Sequence, residues 1–160
     1  MPPVSIEVET VLRAHPDRVW EEVRKPRLLL FVAAPMIRFR AVRPDTFPEI
    51  WRNGVYVTSL RLYGLIPFGR QTIVISYLEA IGETRRLRDD GYGGLIREWD
   101  HLMEVSPHPD GTLYRDTVAV EAGWLTRPAA AFARRYYAHR QRRWRALVAA
   151  NFDYGRAARG

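Results

Sequence analysis

The chain closes on one long amphipathic helix that follows little else but strand-like segments, and this order limits the fold more than any other feature. Up to Gly123 the apolar residues alternate or run in short stretches bounded by turn residues. Beyond it their spacing becomes that of a helix. Thr126-Arg127-Pro128 marks the start, with Thr126 expected as the N-cap and Pro128 inside the first turn. A sheet built first and closed by a single helix buries that helix best by curling around it. Such wrapping leaves room for a cavity, so ligand binding is the leading expectation. No set of residues announces catalysis.

The segments before the helix can be placed one by one. Val4 to Leu12 sets Val4, Ile6 and Val8 against Ser5, Glu7 and Glu9, the alternation of a half-buried strand. His15-Pro16-Asp17 opens a short helix with Val19, Trp20 and Val23 on one side, ended by Pro26. Leu28 to Val32 reads as a second short helix, stopped by Pro35. Strands are expected at Met36–Val42 (with Arg38 and Arg40 outward), Gly54–Tyr63 and Gln71–Leu78. Arg85–Asp90, short and charged, reads as an edge strand. Leu95–Val105 and Thr112–Ala122 form a long hairpin across Asp110-Gly111, a strong turn signal. The result is strand, two short helices, about six further strands and a long helix. Short turns make the sheet antiparallel and curved. With 160 residues and no linker, one domain over 1–160 is expected.

Charge and composition narrow the function. From Arg127 onward there are nine arginines against one acid, Asp153, so this segment carries +8 of a total of +7 and the rest carries −1. The excess therefore belongs to one element. Its basic face is a solvated surface, or one that meets anionic lipid headgroups. Nucleic acid is not expected, because the helix aromatics sit on the opposite, apolar arc. Lys25 is the only lysine, and cysteine is absent, which fits a cytoplasmic setting and excludes thiol chemistry. The start, MPPVSIEVE, lacks the pattern of a signal peptide. The longest apolar run, Leu28 to Ile37, is about half a membrane span. His15, His101, His108 and His139 are scattered and form no metal motif, and Gly91-Tyr92-Gly93-Gly94 is followed by no helix pattern. No metal or cofactor is expected, and oligomeric state is left open.

At this point the chain resembles the START-like, birch-pollen-allergen-like helix-grip superfamily (SRPBCC), in its bacterial polyketide cyclase/dehydratase-like branch. Ala14-His15-Pro16-Asp17-Arg18-Val19-Trp20 is similar to the opening motif of that family. Gly64-Leu65-Ile66-Pro67-Phe68-Gly69 resembles its hairpin loop near the cavity mouth. Trp99-Asp100-His101 and Gly111-Thr112-x-x-x-Asp116 resemble its W-x-H and G-T-x-x-x-D hairpin, and the helix around Arg140 comes last. The resemblance spans nearly the whole chain and rests on the order of motifs. It implies an α+β helix-grip fold and binding of lipids, quinones, sterols, polyketides or other apolar molecules. A minority of such proteins are cyclases or dehydratases, and fold does not decide between them.

On a helical wheel Phe132, Tyr136, Ala129, Leu147, Ala133, Trp144 and Val148 form one arc, opposite Arg134, Arg135, Arg142 and Arg145. Arg140 falls within the apolar arc and needs a partner there. Three readings stay open: a pair with a carboxylate of the sheet, a cavity-facing group that holds the polar end of a ligand, or a wet side chain on a bent helix. On the hairpin, Leu95, Arg97, Trp99, His101, Met103 and Val105 form the more apolar face, matched by Thr112, Tyr114, Asp116, Val118 and Val120. His101 and Asp116 can meet across it. That pair is either a general-base arrangement or a satisfied buried imidazole, and no nucleophile accompanies it.

The expected ligand site is therefore Trp99, Met103, Val118, Val120, Phe132, Tyr136 and Trp144 for apolar contact, with His101, Asp116 and Arg140 at the polar end. Leu65, Ile66, Pro67 and Phe68 are expected either to fold back over the core or to form a lid or membrane-touching tip at the cavity entrance. The expected partner is a small hydrophobic molecule, with transient contact to an anionic membrane as a further option. The rival expectation is a polyketide cyclase/dehydratase that uses His101 with Asp116.

Overall fold

The alternating segments do become strands, and every neighbouring pair is antiparallel. A computed structural model describes residues 1–160. In chain order the elements are β1 (Val4–Leu12), α1 (Pro16–Val23), α2 (Pro26–Ala33), β2 (Ile37–Arg43), β3 (Gly54–Leu62), β4 (Ile66–Ile81), β5 (Thr84–Gly93), β6 (Glu98–His108), β7 (Gly111–Glu121), a 3-10 turn at Gly123–Leu125, α3 (Thr126–Ala149) and α4 (Tyr154–Ala158). The seven strands form one sheet in the order β1-β7-β6-β5-β4-β3-β2. Its ends, β1 and β2, do not pair, so the sheet is open. Register shifts at Ala41/Arg43, Leu60/Arg61 and Leu78/Ile81 bend it. The concave side receives α3, which lies against β1, β7 and α2. This is an α+β helix-grip architecture.

The two short helices start where proline permits. Pro16 and Pro26 stand in the first turns of α1 and α2, and the His15 ring accepts a hydrogen bond from the Asp17 amide. Their buried residues, among them Val19, Val23, Leu28 and Val32, join Leu12, Leu87, Trp144 and Leu147 in the larger core cluster. A second cluster, with Ile6, Val118, Val120, Ala130, Ala133, Tyr136 and Tyr137, fills the space between α3 and the β1–β7 side.

Three expectations are corrected. Arg85–Asp90 is no edge strand: β5 lies mid-sheet, between β4 and β6. Its charges fit there because one sheet face is wet. On that face Arg88 makes a two-point bond to Asp100 at 2.7 and 2.8 Å, and Arg86 sits 3.6 Å from Glu104, while Leu87 on the other face is fully buried. Thr126 is not the N-cap. It already belongs to α3, and its hydroxyl donates to the Gly123 carbonyl and accepts from the Ala122 amide, so it ties the helix to the 3-10 turn instead. Leu95–Arg97 precedes β6, and Arg97 is exposed, so the inward face of that strand begins at Trp99.

If β5 is central, Leu87→Ala should cost about 2–5 kcal/mol of unfolding free energy, the range for emptying a packed core site. Denaturant titration checks this. A loss below about 1 kcal/mol would place β5 at a loosely packed margin.

Candidate functional site

A cavity of about 320 Å³ separates the concave sheet from the first half of α3. Twenty of its 26 lining residues are hydrophobic. Sheet residues such as Leu60, Ile73, Ile75 and Met103 form the floor, and Ala129, Phe132 and Tyr136 form the helix wall. The cavity persists because large rings hold α3 away from the strands. Trp99 and Tyr137 stack with centroids 6.2 Å apart, and the Trp99 indole donates to the Tyr137 hydroxyl at 2.9 Å. Tyr136 and Phe132 stack on the same wall at 6.0 Å.

Of the ten residues expected at the ligand site, Trp99, His101, Met103, Phe132, Tyr136 and Arg140 line this cavity. Asp116, Val118, Val120 and Trp144 do not. Val118 and Val120 are completely covered by α3, because β7 lies directly beneath the helix. Trp144 lies two turns beyond Tyr136, past the end of the cavity, and packs edge-on against Tyr114. Asp116 sits behind His101. The two residues are diagonal neighbours across the β6–β7 ladder, where His101 is opposite Val118 and Met103 opposite Asp116.

That diagonal forms a closed network. Asp116 Oδ1 lies 2.7 Å from His101 Nε2 and accepts from the Tyr114 hydroxyl at 2.8 Å. Its other oxygen accepts from the Gln141 amide at 3.2 Å, and Gln141 also reaches the Val8 carbonyl at 2.7 Å. Burial pushes the Asp116 carboxyl up, but the bonds from His101 and Tyr114 and the field of Arg140 outweigh it and hold the group below its ordinary value. Burial pulls the His101 imidazole down, against the pull of Asp116. The chemistry is that of a neutral imidazole oriented by an ionised carboxylate.

Arg140 differs from every other charged group in the protein. It is 4% exposed and forms none of the ion pairs, and its Nε is buried without a hydrogen-bond partner. Its guanidinium lies 5.0 Å from the Tyr137 ring centre and 5.5 Å from that of Tyr136, a cation held over two rings. The sheet-carboxylate pair is therefore not formed, and the helix does not bend to leave Arg140 wet. Arg140 faces the cavity.

Three further polar groups reach the cavity wall that sequence reasoning missed. Lys25 precedes α2 and donates to Glu22 at 2.7 Å, Gln71 comes from β4, and Asp89 comes from β5, opposite His101 in the register. Asp89 Oδ1 accepts from the Val74 amide at 2.9 Å. The surface that Asp89 keeps is part of the cavity wall, and its removal from water pushes the carboxyl up to about 7, against the pull of Arg140. The alternation Leu87-x-Asp89-x-Gly91 carried the signal, but a strand read as an edge has no buried face to assign. Tyr137 and Gln141 were also missed, since the expected arc took in Tyr136 and Arg140 and left out the residue that follows each.

The Gly64–Gly69 segment does not fold back over the core. Tyr63 and Gly64 adopt positive φ values of 52° and 70°, and the tip projects, with Leu65 78% and Ile66 60% exposed. Pro67 is exposed too, and only Phe68 turns to line the cavity. Leu95 and Leu125 also line the cavity, and Trp124, next to Leu125 in the chain, is 84% exposed.

Sheet, gripping helix and internal cavity together define a helix-grip α+β protein. Solved structures of that shape come from several bacteria. Protein CV1439 of Chromobacterium violaceum matches with a TM-score of 0.63 at 17% identity, over 90% of this chain and 96% of that one. Ms6760 of Mycobacterium smegmatis matches with 0.64 at 12%, over 89% of each. An AHSA1 protein of Silicibacter pomeroyi matches with 0.59 at 12%, over 92% and 99%. These likenesses show the fold. The comparison with curated proteins finds no match. By its sequence the chain belongs to the family described as domain of unknown function DUF8410, whose model matches residues 10–148.

The protonation of Asp89 sets a pH dependence. The folded protein keeps this proton up to about 7, whereas the unfolded chain releases it near 3.8. Its contribution is fully present below 3.8 and is lost as pH rises through 7. Asp89→Asn should therefore raise the melting temperature at about pH 8 by clearly more than at about pH 5. Calorimetry at both values checks this, and an equal effect at both would contradict a buried Asp89.

Proposed function

We propose that the protein binds and carries a small hydrophobic molecule (lipid-, quinone- or polyketide-like) in the cavity between the sheet and α3, as the START-like resemblance implies. The observation that carries this reading is the cavity itself: about 320 Å³ and lined mostly by apolar side chains. Pockets of this kind bury small ligands by area, while a few polar groups fix their orientation. Trp99, Met103, Phe132 and Tyr136 would supply apolar contact, and His101 and Arg140 would orient the polar end.

The bound-probe test is direct. An ANS-type dye or a fluorescent fatty acid should bind with about one molecule per chain. Ala129→Trp, which fills the helix wall, should weaken binding by about tenfold or more while the fold is retained by circular dichroism. Equal binding by this variant would move the probe outside the cavity. The enzyme alternative separates on His101→Gln, which should change carrier affinity by only a few-fold but would abolish turnover if His101 and Asp116 acted as a base pair.

Exposed apolar residues in and beside the cavity-lining segments favour a second reading, contact with an anionic membrane surface during loading. Leu95 is exposed and lines the cavity, and Tyr63, Leu65, Ile66, Tyr92 and Trp124 are exposed in the segments that carry or flank lining residues. Arg61, Arg70, Arg97 and Arg127 are exposed in the same segments, and no acid occurs in residues 50–78 or 122–152. Aromatic and aliphatic side chains flanked by arginine suit the headgroup boundary. Cosedimentation with vesicles containing phosphatidylserine should be strong at low salt, weaken at high salt, and fall several-fold on Trp124→Ser with Leu65→Ser. Indifference to such vesicles at low salt would end this reading.

A further inference from the structure

Two cations line the cavity: Lys25, which is bonded to Glu22 at 2.7 Å, and Arg140, which has no anionic partner. Arg140 Nε and the Tyr136 hydroxyl are both buried, both without a hydrogen-bond partner, and both on residues that line the cavity. The two stand one turn apart on α3, on the same face. A guanidinium removed from water without an anion is a costly arrangement, and packed apolar replacements for buried charges often stabilise a protein. The nearby acids do not relieve it. The oxygens of Asp116 are taken by His101, Tyr114 and Gln141. Asp89 makes no ion pair with Arg140 and is bonded to the Val74 amide. The missing partner is thus an anion that enters from the cavity.

We propose that the ligand is an amphiphile with a single carboxylate, seated on Arg140 and Tyr136, with its apolar part among the aromatic and aliphatic lining. This rests on the ligand-binding reading above and deepens it. Three features select the class. Arg140 is the one cation of the lining without an acidic partner and offsets one negative charge, so a phosphate monoester, whose second charge forms at about pH 6, would leave the excess buried. Arginine presents a planar fork that matches a carboxylate, and the phenol adds one more donor beside it. The cavity volume of about 320 Å³ lies at the lower end of the range for small-ligand pockets, which suits a medium chain or a small ring system. Asp89 also lines the cavity. Its carboxyl stays protonated up to about 7 and so does not repel the anion below that pH.

The test compares decanoate, 1-decanol and decyl phosphate in displacement of a fluorescent probe at about pH 6. The wild-type protein should prefer decanoate to decanol by about tenfold, the worth of a charge-assisted contact, and should bind decyl phosphate more weakly than decanoate. Arg140→Leu should bring the decanoate-to-decanol ratio to about one while decanol affinity is kept, and should raise the melting temperature of the ligand-free protein. Tyr136→Phe, which removes only the hydroxyl, should lower the ratio several-fold and guards against a misfolded Arg140 variant. Equal affinity of the wild-type protein for decanoate and decanol, an unchanged ratio in Arg140→Leu, or tighter binding of decyl phosphate would each overturn the carboxylate assignment while leaving the cavity a ligand site. If neither decanoate nor decanol binds, the ligand-binding reading falls with it.

Discussion

A cationic side chain on the buried face of the closing helix is the constraint around which this protein is arranged. Arg140 cannot be packed flat against strands of valine and isoleucine without an anion. The helix around it carries rings, Phe132, Tyr136 and Tyr137, that prop α3 off the sheet at one end, whereas Ala130 and Ala133 let it sit close to β7 and β1. Beyond Arg140 the helix closes down again through Trp144 and Leu147 onto the larger core. The cavity is what remains between these two contacts. Its walls are mostly apolar, and its few polar groups come from one turn of α3, from β4, β5 and β6, and from Lys25 before α2.

Two kinds of buried polarity coexist here, and they behave differently. The bonds around Asp116 are complete: His101, Tyr114 and Gln141 occupy both its oxygens, Gln141 also reaches the Val8 carbonyl, and together they tie β1, β6, β7 and α3. A satisfied network of this kind specifies packing. Arg140 and Tyr136 are open, with donors and no acceptors. Completed networks belong to the scaffold. Open donors next to a cavity mark where the scaffold expects something else.

Much of the architecture was legible because periodicity survives in the sequence. Val4–Leu12, Gly54–Tyr63 and the hairpin across Asp110-Gly111 keep one face apolar, and their observed bounds differ from the expected ones by only a few residues. The prolines at 16 and 26 set the short helices for a local reason that needs no tertiary context. β5 escaped because its outward residues, Arg86 and Arg88, are charged on account of partners in β6 that only the register supplies. With β5 misplaced, Asp89 had no inward face. The depth of the cavity was not legible either. A helical wheel ranks Trp144 with Tyr136, but only the three-dimensional taper between helix and sheet shows that one is beyond the cavity and the other in its wall.

The account stands on the cavity being a place for a ligand and not a packing defect. The most direct test is native mass spectrometry of the protein as purified, followed by denaturing extraction and identification of what is released. A stoichiometric adduct, released as a small amphiphile of a size that the cavity holds, is the predicted result. A bare polypeptide mass, together with failure to take up any apolar probe, would contradict it and leave the space between α3 and the sheet as no more than a gap in the core.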